Sequence, residues 1–258
     1  MNIFVVGDIH AQRNKFWHIL QEAGLVDLEN RATERLLDPD SKLILLGDIV
    51  HAKSRERYAK IIDEQRFDEF SPSHLVRAER FQERFLAEIK EFYDSLEPGK
   101  LTILMGNHDY NAIYPEQGPL RTDDIAHLEW KDITNRRIDA DIREWMLSWP
   151  HELVVDDIHF AHVGPLKEHN IYDNDFYLKN RRRWIYEDKD FIADTPYRLG
   201  VYGHTPVRGG VNIASQGKAI LLDTNGNASE YAYLKIVTEE GRYHLKMRGL
   251  FFDEFIQR

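Results

Sequence analysis

Three short apolar runs in this chain each end in a glycine followed at once by a polar residue able to hold a cation. They are "NIFVVGDIH" at 2–10, "KLILLGDIV" at 42–50 and "KLTILMGNHD" at 100–109. Runs this short and this rich in Val, Ile and Leu read as buried strands rather than helices. The glycine lets the chain turn sharply and approach whatever lies beyond the strand. Between the first two runs, Phe16, Ile19, Leu20 and Ala23 fall at helical spacing, with Gly24 as a stop. Strand, helix and strand in that order predict parallel pairing, and ligands in such sheets bind beyond the carboxyl ends of the strands. The chain is thereby constrained to an α/β fold that gathers polar residues at one edge.

Further strands are predicted at 152–155 and 158–163, joined by the turn at Asp156 and Asp157, and then at 198–203, 218–223, 230–237 and 242–248. The last two alternate as antiparallel strands do. No internal repeat or linker interrupts the chain, so residues 1–258 read as one α/β domain around a central mixed sheet. A largely charged, helical insertion occupies about 54–97. In it Ala78, Phe81, Phe85, Ile89, Phe92 and Leu96 form an apolar stripe that predicts a long helix laid on the sheet. The arm before that helix, around 54–74, is a candidate cap over the site.

Composition narrows the chemistry. The 258 residues include no cysteine, which excludes disulfides, thiolate metal sites and a cysteine nucleophile. Any metal must be held by His, Asp, Glu or Asn. The net charge of −10, from 34 basic and 44 acidic residues, argues against a groove for long nucleic acid. It leaves room for a phosphoester held locally by cations. No run reaches transmembrane length, and the amino terminus lacks the pattern of a signal peptide, so no membrane partner and a cytoplasmic location are expected.

The candidate ligands are Asp8, His10, Asp48 and Asn107, joined by His162 in "HFAHVG" and His204 in "VYGHTP". All six sit beside small residues at predicted strand ends. Oxygen and imidazole donors in this mixture suit a divalent cation such as Mn, Fe or Zn. Six are more than one ion needs. They suit two ions sharing Asp48, about 3.5–4 Å apart as in two-metal hydrolytic sites.

The ordered set D-x-H, G-D, G-N-H-D, H-x-G and G-H-T resembles the calcineurin-like metallophosphoesterases. It is most similar to the branch of phosphoprotein phosphatases and bacterial dinucleoside tetraphosphatases. The resemblance runs from Asp8 to Thr224 and implies a sandwich of mixed β-sheets flanked by helices. It also implies that Asp8, His10 and Asp48 hold one metal, and that Asp48, Asn107, His162 and His204 hold the other. Mn is favoured among Mn, Fe, Zn and Ni. His108 matches the family's general acid, with Asp109 beside it. The implied reaction is hydrolysis of a phosphoester by in-line attack of a hydroxide bridging the metals.

Several positions depart from that pattern. In phosphoprotein phosphatases the second motif resembles Gly-Asp-x-x-Asp-Arg-Gly, whose later aspartate braces the general acid and whose arginine grips phosphate. Here those positions are His51, Ala52 and Lys53. Lys53, Arg55 or Arg57 are candidates for the missing clamp, Asp109 for the brace, and Arg183 of "RRRW" for a further phosphate contact. The remaining histidines, His127 among them, read as surface or core residues. The expected activity is that of a serine/threonine-type protein phosphatase acting on a phosphorylated partner. A hydrolase of dinucleoside polyphosphates or small nucleotides is the alternative, and a catalytically silent phosphatase-like binding protein is the alternative of another class.

Overall fold

The computed structural model describes residues 1–117, 120, 125–166, 170–179, 192, 194–214, 217–224, 231–239, 242–248 and 253–257. The elements in the first half, in chain order, are β1 (Asn2–Val6), α1 (Arg13–Glu22), α2 (Glu34–Leu37), β2 (Ser41–Leu45), α3 (Arg55–Ile61), α4 (Pro72–Asp94), β3 (Leu101–Ile103) and α5 (Asn107–Ile113). The second half adds α6 (Ala140–Leu147), β4 (Glu152–Val155), β5 (Ile158–Ala161), α7 (Asn174–Lys179), β6 (Leu199–Tyr202), β7 (Asn212–Ala214), β8 (Ala219–Leu221), β9 (Tyr233–Glu239), β10 (Arg242–Arg248) and β11 (Asp253–Gln257).

Local chemistry accounts for the main helices. Helix α1 ends in a Schellman turn: Gly24 sits at φ +68°, and the amides of Leu25 and Gly24 donate to the carbonyls of Leu20 and Gln21. Helix α4 begins with Pro72 in its first turn, where a missing amide costs nothing.

The strands form two mixed sheets, not one. The first runs β11-β10-β9-β1-β2-β3, with β1, β2 and β3 parallel; the second runs β4-β5-β6-β8-β7, with β5, β6 and β8 parallel. Two mixed sheets with flanking helices are the sandwich that the family resemblance implied, where the apolar runs read alone suggested one central sheet. Alternation along β1 and β2 explains it. Ile3, Val5, Ile44 and Leu46 point into a core shared with Phe160, Val201 and Ile220 of the second sheet, while Phe4, Val6, Leu43 and Leu45 point into a core shared with the helices. A run apolar on every residue is what a strand covered on both faces requires.

Helix α4 lies where the stripe placed it, with Ala78, Phe85, Ile89 and Phe92 buried. Glu79 and Gln82 are buried on the same helix, and no apolar pattern marks them. Two strands lay outside the expected set. β7 has only three residues and pairs at the sheet edge; β11 extends the other sheet. Among the described residues no helix is long and apolar enough to cross a membrane.

Phe85 is 1% exposed, and its ring meets Phe16 of α1 edge-on at 5.7 Å between centroids. Phe85→Ala is expected to lower unfolding free energy by about 3–5 kcal/mol. A denaturant titration followed by circular dichroism measures this.

Candidate metal centre

The parallel strands β1, β2, β3, β5 and β6 all point their carboxyl ends at one place. Asp8 and His10 leave β1, Asp48 leaves β2, Asn107 and His108 open α5 just beyond β3, His162 follows β5 and His204 follows β6. The backbone is forced there. Asp48, His10 and His204 take left-handed φ angles of 52°, 49° and 63°, a conformation that non-glycine residues rarely adopt and that clusters at functional sites. The glycines permit the crowding. A Cβ on Gly106 would lie 2.3 Å from Asp48 Oδ1, and one on Gly203 would lie 2.4 Å from Asp8 Oδ1.

Hydrogen bonds fix which nitrogen of His10 and of His162 faces inward. His10 Nδ1 donates to the His51 carbonyl at 3.0 Å, so Nε2 carries the lone pair. That nitrogen lies 3.5 Å from Asp8 Oδ2 and 3.6 Å from Asp48 Oδ2. His10 Nε2 and Asp8 Oδ2 are buried without a hydrogen-bond partner. His162 Nδ1 donates to the Leu46 carbonyl at 2.8 Å, leaving Nε2 to face Asn107 Oδ1 at 2.9 Å and Asp48 Oδ2 at 3.3 Å. His204 Nδ1 lies 2.8 Å from the same Asn107 oxygen, and the His204 amide donates to Asp8 Oδ1 at 3.1 Å.

The electrostatics call for positive charge. Burial alone would raise the Asp48 carboxyl, yet His162, His108 and His10 hold it well below the usual carboxylate range. Asp8 is pushed well up by burial and by the adjoining Asp223 carboxylate. Burial lowers His162, but Asp48 and Asp8 outweigh it and push the imidazole up to about 9. A neutral His162 would aim its lone pair at two oxygens, so a proton or a cation must sit between them. The orphaned Asp8 and His10 atoms make the same demand on the other side of Asp48 Oδ2. These donors fit divalent cations: buried, mixed carboxylate, amide and imidazole, with their lone pairs turned inward. Among the described residues three groups of candidate metal-holding side chains lie within 4.8 Å of one another, and two of them contain Asp48: His10, Asp48 and His108, and Asp48, His162 and His204.

The family model of the calcineurin-like phosphoesterases matches residues 1–235. The chain belongs to that family. It is a phosphoester-hydrolysing enzyme, and the family implies divalent metal ions at the cluster just described. No curated protein matches it in sequence. Solved structures share the fold at low identity. A cold-active protein tyrosine phosphatase aligns at 14% identity and TM-score 0.58, covering 96% of this chain and 78% of that one. A protein serine/threonine phosphatase from Saccharomyces cerevisiae aligns at 15% and 0.52, over 98% and 81%. A metallophosphoesterase from Sphaerobacter thermophilus aligns at 17% and 0.50, over 96% and 88%.

The other expected residues have distinct positions. His108 is 1% exposed, with Nε2 3.9 Å from Asp48 Oδ2. The Asp109 carboxylate takes the amides of Ile49 at 2.9 Å, Val50 at 3.3 Å and Gly106 at 3.2 Å, so it braces the loop after β2 and not the His108 ring. Lys53 is 7% exposed, and its charge pushes His10, His108 and His127 downward after the larger effect of burial. Arg55 pairs with Glu69, which also takes the Ala126 amide. Arg183 lies outside the described residues. His127, read from sequence as an ordinary core or surface residue, is fully buried and stacks on His51 at 4.6 Å. No sequence signal marked it, because its place is set by long-range contacts, to Tyr58 of α3 at 2.9 Å and to His51.

Asp48→Asn is expected to deplete both ions of a Mn-reconstituted preparation, whereas Asp8→Asn should deplete one. Elemental analysis per folded chain reads the difference. Mn at a hundredfold excess over Kd should stabilise the wild type by about 2.7 kcal/mol for each site filled.

Proposed function

We propose that this chain is a two-metal phosphomonoesterase of the protein phosphatase kind. The observation that carries the proposal is that Asp48 Oδ2 faces both His10 Nε2 at 3.6 Å and His162 Nε2 at 3.3 Å. A single carboxylate oxygen set between two groups of lone pairs suits a bridging ligand. Asp8, His10 and Asp48 would hold one ion; Asp48, Asn107, His162 and His204 would hold the other. When bound, such ions acidify water at neutral pH and draw charge from phosphoryl oxygens.

The protein's own groups do the rest. His108 gives a proton to the leaving oxygen, which lets a poor leaving group depart as an alcohol. Lys53, buried beside the cluster, offers its ammonium to the phosphoryl charge in place of an arginine. Asp109 holds the loop that carries Asp48. The stretch from α3 to the start of α4 supports the same edge, since Tyr58, Ala59, Phe67, Leu75 and Ala78 pack against Ala11 and Ala52.

One observation favours a small aromatic or nucleotide substrate as a second reading. Tyr114, Tyr110 and Tyr177 form a ring contact series at 4.7 and 5.1 Å, tied to the site by a 3.1 Å hydrogen bond from the Tyr177 hydroxyl to the Met105 carbonyl. Tyr110 and Tyr114 are half-buried over the buried Tyr177, and half-buried rings near a phosphate site suit stacking against a base or phenol.

A screen of Mn-reconstituted protein against phosphopeptides, dinucleoside polyphosphates and aryl phosphates separates these readings. Turnover of phosphopeptides is expected to dominate. His108→Ala should keep its metal and lose roughly 10²–10⁴-fold in kcat on substrates with poor leaving groups. Lys53→Ala should raise KM on the order of tenfold, the loss of one charge-assisted contact. No turnover with any divalent ion on any phosphoester would sink the enzyme assignment and leave the binding-protein reading.

A further inference from the structure

The position that carries an acidic brace in the resembling motif is His51, and its surroundings are built. Its φ is 63°, it is fully buried, and every part of it is in use but one. The amide donates to Gln82 Oε1 at 2.6 Å, the carbonyl takes the His10 proton at 3.0 Å, and Nδ1 lies 3.2 Å from His108 Nδ1. Its ring stacks on His127 with planes 16° apart. His127 Nδ1 shares a hydrogen bond of 2.9 Å with the Tyr58 hydroxyl, which in turn bonds the Glu129 carboxylate. Gln82 closes the circuit by donating to Glu129 Oε1 at 3.2 Å.

We infer that His51 is the positioning residue for His108: its neutral imidazole accepts the His108 Nδ1 proton and turns His108 Nε2 toward the metal cluster. The inference rests on the general-acid role proposed for His108. A histidine poised to donate carries protons on both nitrogens, and the inner one needs an acceptor. His51 Nδ1 is the acceptor that the geometry supplies. When Nε2–H transfers to the leaving oxygen, the leaving group becomes an alcohol and His108 becomes neutral, still tied to His51 through Nδ1–H. The stack on His127, itself locked by Tyr58 and Glu129, fixes the plane of the His51 ring and so the direction of its lone pair. The helical segment thereby reaches the chemistry without touching substrate.

His51, His108 and His127 also form a cluster of nitrogens within 4.8 Å, but a third ion there would face two ammonium groups. Lys131 bears on His51, and both Lys53 and Lys131 bear on His127. The near-parallel stack also turns two of the rings face to face rather than edge-on to a common centre.

The test is His51→Phe, which keeps the ring and its stack and deletes the nitrogen, beside His51→Asn, which restores an acceptor near the Nδ1 position. Each is assayed on a series of aryl and alkyl phosphates of rising leaving-group basicity. His51→Phe should lose on the order of 10²-fold in kcat/KM on alkyl phosphates while staying within about threefold on 4-nitrophenyl phosphate, as loss of acid catalysis requires. His51→Asn should recover most of the loss, and adding His51→Phe to His108→Ala should cost nothing more. In ¹⁵N-labelled protein the His108 Nδ1 resonance should show a hydrogen-bonded proton in the wild type and in His51→Asn, and not in His51→Phe. A uniform loss across leaving groups, additivity with His108→Ala, or a third metal equivalent that His51→Phe removes would each overturn the assignment. If His108→Ala is itself insensitive to the leaving group, the general-acid role fails as well. A steep His108→Ala profile beside a flat His51→Phe profile overturns the brace alone.

Discussion

The Asp48 carboxylate is the point at which the two sheets are joined chemically. One oxygen takes the His108 amide at 2.8 Å, at the start of α5, and the other faces imidazoles delivered by β1 and by β5. A buried anion persists only when it is paired. Here the partners come from both layers, so the layers must stay in register for the carboxylate to remain ionised. The backbone at this junction is left-handed at His10, Asp48, His51 and His204. Such residues cost about 1–3 kcal/mol each and endure because the surrounding contacts over-determine them.

Helix α4 shows how the scaffold and the site divide one element. Toward its carboxyl end, Phe85, Ile89 and Phe92 are ordinary core against α1 and α6. Toward its amino end, two buried polar residues organise loops. Glu79 Oε1 takes the Trp130 amide at 2.7 Å, and Gln82 reaches His51 and Glu129. Buried polar groups are tolerable only when fully bonded, and a bonded network specifies one arrangement. The Trp130 amide fixes the loop that carries His127, so α4 sets the histidine stack as well as supporting the sheet.

Much of the fold was legible in the residues. Unbroken apolar runs at 2–7 and 42–47 signalled strands covered on both faces, and alternation at 242–248 signalled an antiparallel strand. That the strands split into two sheets followed from the family resemblance and not from the apolar runs themselves. A strand buried between a sheet and helices has the same composition as one buried between two layers of helices. β7 was missed because three residues give no periodicity to read.

At the site, residue type and order alone named Asp8, His10, Asp48, Asn107, His162 and His204, because hydroxide-generating chemistry without cysteine needs carboxylate, amide and imidazole at strand ends. Sequence also marked His51 as the place where the resembling motif breaks. Only the tertiary structure shows where the residues at and after that break lie. Lys53 is buried at the cluster while Arg55 is spent on Glu69, and Asp109 serves the backbone while His51 meets His108. Side chains that follow directly from strand ends are placed by local chain order. A hydrogen bond between His51 and His108, or a stack between His51 and His127, depends on how α4 and its loops fold back over the sheet edge, and no local pattern encodes that distance.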